Sequence, residues 1–140
     1  MRPHRCWLLF IALVTVGAEA RGGFTVRMRK QLATAVRAGV RIAAGSDMYN
    51  AIGTSRGATS LLILGAYAEA GMSPIEIVRA ATINAAEPLG RARDVGSVER
   101  GKYADMIAVP GDPLRDALVL QRARFVMKGG RVVRNDVVRP

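Results

Sequence analysis

The sequence predicts an α/β fold whose carboxy-terminal third is rich in β-structure. Three features carry this expectation: a helical repeat that runs straight into a short apolar strand between Val26 and Ala44, two further apolar helices between residues 58 and 86, and a change of style after Pro88. Beyond that proline, glycines punctuate short strand-like segments. At 140 residues and 50% hydrophobic content the chain can build one core, and its composition lies far from the polar, highly charged mix of a disordered chain.

Residues 1–20 read as a secretory signal. Arg2 and Arg5 make a basic start, Cys6 to Ala18 is an apolar run, and Ala18-Glu19-Ala20 offers small residues at the two positions a signal peptidase reads. The run falls short of the about 20 residues that span a bilayer, so cleavage after Ala20 is preferred to a retained membrane anchor. The chain is therefore expected to be exported, to the periplasm or the extracellular space. Cys6 is its single cysteine and stands at the start of the apolar run instead of following it. That order argues against a lipid-modified cysteine and leaves an exported chain without disulfides, stabilised by packing alone.

From Val26 to Ala38, Val26, Ala33 and Val36 alternate with Arg29, Lys30 and Arg37 at helical spacing, and Gly39 suits the left-handed residue that ends a helix. Val40 to Ala44 follows as a buried strand, and Met48 to Gly57 reads as a polar loop. Ala58 to Ala70 is an apolar helix stopped by Gly71. Ser73-Pro74-Ile75-Glu76 then combines an N-cap serine, a proline in the first turn and a glutamate able to reach back to the cap amide. The helix it opens should run to about Ala86, with Ile77, Val78, Ala81 and Ala85 toward a core. Further on, Met106 to Val109 reads as a strand, and Phe125-Val126-Met127 with Val132-Val133 flanks Lys128-Gly129-Gly130 as a hairpin.

A net charge of +10 permits an anionic partner. The arginines are scattered singly, Arg27-Met28-Arg29-Lys30 is the one local cluster, and aromatics to stack on bases are few. A solvated helix face accounts for the cluster better, and no nucleic-acid partner is expected. Gly96 to Lys102 matches the start of a phosphate-binding loop, but Tyr103 stands where a serine or threonine should hold magnesium, and the segment leads into a strand instead of a helix. Ser46 and Ser73 have no histidine to act as base, since the single histidine is His4. Asp105 and Asp112 sit in turn-like surroundings that suit bonds to backbone amides. Asp47 is different in address: it stands just beyond a strand end, where α/β folds and closed barrels place reactive groups. On pattern alone a turn or cap role for Asp47 competes with a catalytic one.

Four stretches decide between them. "AGVRIAAGSD", "EAGMSPIEIVRAATINAAEPLG", "VGSVERGKYADMIAVPGDP" and "FVMKGGRVV" together resemble the carboxy-terminal part of a metal-dependent amidohydrolase, in the branch similar to imidazolonepropionase and the Xaa-Pro dipeptidases. The resemblance covers roughly Val26 to Val133. It implies the last strand and flanking helices of a TIM-type (β/α)8 barrel over residues 21–90, followed over 91–140 by strands of a small composite β-sandwich. In such a family Asp47 matches the aspartate that coordinates a divalent metal, often zinc, and shuttles a proton from the attacking water to the leaving nitrogen. Arg56, at the end of the loop after the strand, would touch substrate: a small amide, imide or dipeptide.

The departures from the family pattern are as informative. The histidines, and the lysine or glutamate, that the resemblance places on earlier strands have no counterparts here, and a barrel of this type takes about 250 residues. The chain thus reads as an incomplete barrel, two ends of an exported amidohydrolase joined near Arg21 to Phe24, inactive alone and holding no metal in isolation. The competing reading is a secreted assembly or binding module that completes a barrel with a partner chain, and an oligomer is allowed by either. Export makes a direct prediction: secreted material should begin at or near Arg21, by amino-terminal sequencing or intact mass, whereas a membrane-embedded chain retaining Met1 would contradict it.

Overall fold

A computed structural model describes residues 8–11, 22–46 and 55–137. In chain order the elements are β1 (Leu8–Ile11), α1 (Gly22–Arg37), β2 (Ile42–Gly45), α2 (Arg56–Ser60), α3 (Ile63–Glu69), α4 (Pro74–Ala81), α5 (Ile83–Ala86), β3 (Met106–Ala108), a 3-10 helix (Ala117–Arg122), β4 (Phe125–Lys128) and β5 (Arg131–Asn135). The α/β first part and β-rich last part follow the sequence reading. Among the described residues no helix is long and apolar enough to cross a membrane.

The helix ends are set by glycine. Gly39 lies at φ 71°, its amide donates to the Val36 carbonyl, and the Val40 amide donates to Ala35, the paired bonds of a Schellman motif. Gly71, at φ 93°, repeats the arrangement with Ala68 and Tyr67. Each motif turns the chain sharply, so β2 follows α1 at once and α4 follows α3. Helix α1 starts earlier than its apolar repeat suggests, and its buried stripe is Leu32 and Ala35 with Val36 behind, while Val26 is exposed. Arg27, Arg29 and Lys30 lie on its exposed side, as a solvated face requires.

Two helices expected to be continuous are broken, and at each break side-chain hydroxyls bond carbonyls four residues back. Thr59 Oγ1 donates to the Ser55 carbonyl at 3.1 Å and Ser60 Oγ to the Arg56 carbonyl at 2.9 Å, and the next amides shift to bonds three residues back, separating α2 from α3. Thr82 Oγ1 donates to the Val78 carbonyl at 2.7 Å, and Thr82 itself leaves helical geometry at φ −127° and ψ −97°, separating α4 from α5. The buried face of α4 is accordingly Ile77 and Ala80, three apart, whereas Ala81 is exposed and Val78 and Ala85 are half-buried.

One core joins these pieces. Leu32 and Ala35 of α1, Ile42 of β2, Ile63, Leu64 and Tyr67 of α3, Met72, and Ile77 and Ala80 of α4 form a continuous cluster, and Ala117 of the 3-10 helix belongs to it. Burial of each large member is worth roughly 2 kcal/mol. Gln121 adds a polar tie, its Nε2 donating to the Leu61 carbonyl at 3.1 Å. The carboxy-terminal segment is therefore packed onto the helices through the 3-10 turn.

The sheets are small. β1 pairs in parallel with β2, Leu8 opposite Ile42 through Ile11 opposite Gly45, and β3, β4 and β5 form an antiparallel sheet in that order. The segment read as part of a signal thus includes a strand against β2 in the chain as given, so β2 is not the lone strand that an incomplete barrel suggests. An exposed strand edge accepts a tethered apolar segment in extended form. The β4–β5 hairpin turns through Gly129 and Gly130, at φ 55° and 78°, the conformation of a type I′ turn. Asp105 Oδ1 accepts the Gly129 amide at 2.6 Å, and Asp112 Oδ1 accepts the Leu114 amide at 2.8 Å, so both aspartates bond backbone as expected. The segment after Gly96 leads into β3 without a helix. Gly96, at φ 95°, could not carry a side chain, because a Cβ there would stand 3.0 Å from that of Ala86.

Helix α4 opens on the box expected from Ser73: the Glu76 carboxylate accepts the Ser73 amide at 2.7 Å and the Ser73 hydroxyl at 2.6 Å. These bonds, the hydroxyl's first, hold the Glu76 carboxyl below its ordinary range. A carboxyl depressed in the folded state stabilises above its unfolded value and loses that contribution as pH falls through the folded one. Ser73→Ala should therefore cost about 1 kcal/mol at neutral pH. Urea titrations at neutral and acid pH should show the difference from wild type shrinking as Glu76 protonates, and a pH-independent difference would contradict this account.

Candidate functional site

Strand β2 is short, and its alternation sorts its residues. Ile42 and Ala44 pack toward the helical cluster, whereas Ala43, also buried, is not part of it. Ala43 and Gly45 belong to the opposite face by the two-residue repeat of a strand. The carboxyl end of β2 is the candidate site, because Ser46 and Asp47 follow it directly.

The amino end of β2 is fixed by polar contacts from α5 and its flank. Asn84 Nδ2 donates to the Ile42 carbonyl at 3.0 Å, and Asn84 Oδ1 accepts from Arg41 at 3.1 Å. Arg41 also pairs with Glu87 at 2.9 Å. The pair is about one-third exposed or more on each side, so its worth lies mainly in orienting the neighbouring amide. The sequence signal for Asn84 was its place in "TINAAEPLG", read as part of a helix; its bond to β2 needs the break at Thr82, which no periodicity revealed.

At the carboxyl end the neighbour is Tyr67. The ring is fully buried in α3, and its hydroxyl is the buried side-chain atom without a hydrogen bond among the described residues. Burial pushes the phenol well above its ordinary range, and the Gly45 backbone pulls weakly the other way, its approach stopping short of a hydrogen bond with good geometry. Tyr67 was not foreseen from the sequence, where it reads as one more apolar position of a helix.

Asp47, the principal residue singled out from the sequence, lies outside the described residues, as does most of the 48–57 loop. Arg56 is described: it opens α2, fully on the exposed side, with Ser55 capping the helix by accepting the Ala58 amide at 3.2 Å. Ser46 is half-buried at the strand end, and Ser73 is committed to its cap.

The described residues do not by themselves fit a zinc centre. Such centres use three or four protein ligands, chiefly histidine, cysteine and carboxylate. Among the described residues no three of His, Cys, Asp and Glu come together, and the single histidine and cysteine, His4 and Cys6, lie outside the described residues and far in sequence from β2.

Comparison with known proteins agrees with this geometry. Residues 24–134 match the model of the "Amidohydrolase family". The ochratoxinase of Aspergillus niger is 37% identical over 110 residues, 76% of this chain and 22% of that protein. The imidazolonepropionase of Geobacillus kaustophilus is 45% identical over 69 residues, 47% of this chain and 16% of that protein. Among solved structures, a Xaa-Pro dipeptidase with methionine bound in its active site superposes with a TM-score of 0.70 at 30% identity, over 79% of this chain and 26% of that one. The chain thus spans about a quarter or less of the proteins it matches.

The strand anchor yields a prediction. Asn84→Ala leaves the Ile42 carbonyl without its donor and should cost about 1–2 kcal/mol in urea-induced unfolding. Ala85→Ser, on the same short helix, should cost well under half as much. Equal effects would mean that Asn84 contributes no anchor.

Proposed function

The chain belongs to the amidohydrolase family, and on that premise we propose that it is the carboxy-terminal part of a hydrolase acting on C–N bonds of small amides, imides or dipeptides, with Asp47 as its catalytic carboxylate. The observation that carries this is the family match across residues 24–134, and the superposition on a Xaa-Pro dipeptidase over 79% of this chain supports it. The address of Asp47 in the sequence supports its role: it follows the carboxyl end of β2 by two residues, where closed barrels place their reactive groups.

The chemistry asked of Asp47 is proton transfer. As a carboxylate it accepts a proton from the attacking water, and as the acid so formed it returns that proton to the departing nitrogen, so the group ends as it began. Members of this family generally use a divalent metal, which supplies charge stabilisation when bound. This chain's residues do not complete such a site, so hydrolysis needs ligands that residues 5–140, which lack histidine, do not provide. Arg56, exposed at the start of α2, is suited to meet a polar group of the substrate from the rim. The names of the relatives, an imidazolonepropionase and a Xaa-Pro dipeptidase, support small molecules or dipeptides as the substrate class. Export is part of the same reading, from the basic start and apolar run of residues 1–20.

Two measurements on the purified chain test this. After exhaustive dialysis it should retain well under one equivalent of zinc, and a screen of amides, imides and dipeptides should find no hydrolysis above background, with Asp47→Asn indistinguishable. One equivalent of zinc with hydrolysis lost on Asp47→Asn would overturn the incompleteness and show a site closed by a second copy. Hydrolysis that survives Asp47→Asn would overturn the assignment of Asp47.

A further inference from the structure

We propose that Tyr67 is a positioning residue for the carboxyl end of β2, its buried hydroxyl acting on the Gly45 backbone to set where the chain leaves the strand. The inference rests on the reading of that strand end as the catalytic edge. It starts from an oxygen that packing does not explain. The Tyr67 ring is fully buried against Ile42, Leu64 and Ile77, with Ala44 packed on the same cluster, and phenylalanine would fill that space equally well. A buried hydroxyl without a partner is unfavourable, so its retention calls for a use.

Position supplies one. Tyr67 shares its cluster with Ile42, and Ala44 packs on it, so its hydroxyl lies beside the carboxyl end of β2, where the Gly45 backbone pulls weakly on the phenol. Among the described residues a Cβ built on Gly45 would meet no atom within 4 Å, and its φ is not positive. Asn84 fixes the amino end of the strand through the Ile42 carbonyl, at the other end from Gly45. A phenol kept protonated by burial is a constant donor and acceptor at this point. A bond of ordinary length, direct or through one water, would lock Gly45 and Ser46 and so the start of the segment that carries Asp47.

The test is residue-resolved hydrogen–deuterium exchange on the full chain, comparing wild type with Tyr67→Phe. Gly45 and Ser46 should exchange about tenfold faster in the variant, the amount one lost hydrogen bond allows, while Ile77 and Ala80 keep their rates. Unchanged rates at Gly45 and Ser46 would overturn the proposal, and so would a uniform acceleration, which reports global loosening. Should Tyr67→Phe fail to fold, the wild-type spectrum decides. A slowly exchanging Tyr67 hydroxyl proton with a nuclear Overhauser effect to the Gly45 amide supports the proposal, and a hydroxyl in fast exchange with water overturns it. None of these readouts involves hydrolysis, so the inference about Tyr67 and the reading of Asp47 can fail separately.

Discussion

Burial of Ile42 against the helices organises the first part of this molecule. At 3% exposure its side chain is committed to the cluster of Leu64, Tyr67 and Ile77, and in a strand that commitment fixes the side on which every neighbouring residue stands. A slip of one residue would put Arg41 or Ala43 in its place. The first would bury an unpaired charge and the second would leave a void, so the register is strongly set. Asn84 reinforces it by bonding the Ile42 carbonyl, which ties the strand to α5 while α3 and α4 receive the side chain. The same register sets the face that Ala43 and Gly45 present at the carboxyl end of the strand, from which the chain continues to Ser46.

The remaining architecture follows from how helices are ended. Left-handed glycines at 39 and 71 stop α1 and α3 cleanly and send the chain back into contact with itself, so short helices pack around one strand without long loops. Hydroxyl groups do the finer work. Thr59, Ser60 and Thr82 each bond a carbonyl four residues back at the point where a helix is interrupted, separating α2 from α3 and α4 from α5. The antiparallel sheet is joined to this body through Ala117 and Gln121, while every residue of β5 is exposed. Val132 and Val133 on that strand are both exposed.

What could be read from the sequence was what depends on neighbours in the chain. Gly39, Gly71, the Ser73–Glu76 cap and the Gly129-Gly130 turn are local chemistry, and each is found where the residue types required it. The strand through Ile42 was legible because a helix stop and an apolar run adjoin. Features that depend on distant residues were not legible: the Asn84 bond to β2, the burial of Tyr67 with its hydroxyl at Gly45, the packing of Ala117, and the pairing of Leu8–Ile11 with β2 all join segments that no spacing connects. The helix breaks were missed for a different reason. Serine and threonine fit an apolar helical repeat by size, and their competition for carbonyls shows only in the bonds they make. Of the candidate site, the sequence supplied Asp47 and Arg56 through family motifs, and the structure added the strand face, its anchor and Tyr67.

The account stands on residues 24–134 being an amidohydrolase edge with Asp47 as its working carboxylate, and the most direct measurement is steady-state kinetics of a chimera. Residues 24–134 would replace the matching segment of the Aspergillus niger ochratoxinase, whose own residues provide the rest of the barrel. The chimera should retain measurable turnover of the parent enzyme's substrate, and Asp47→Asn should reduce kcat by about 10³-fold or more while leaving the melting temperature nearly unchanged. A folded chimera whose turnover is indifferent to Asp47→Asn would contradict the account.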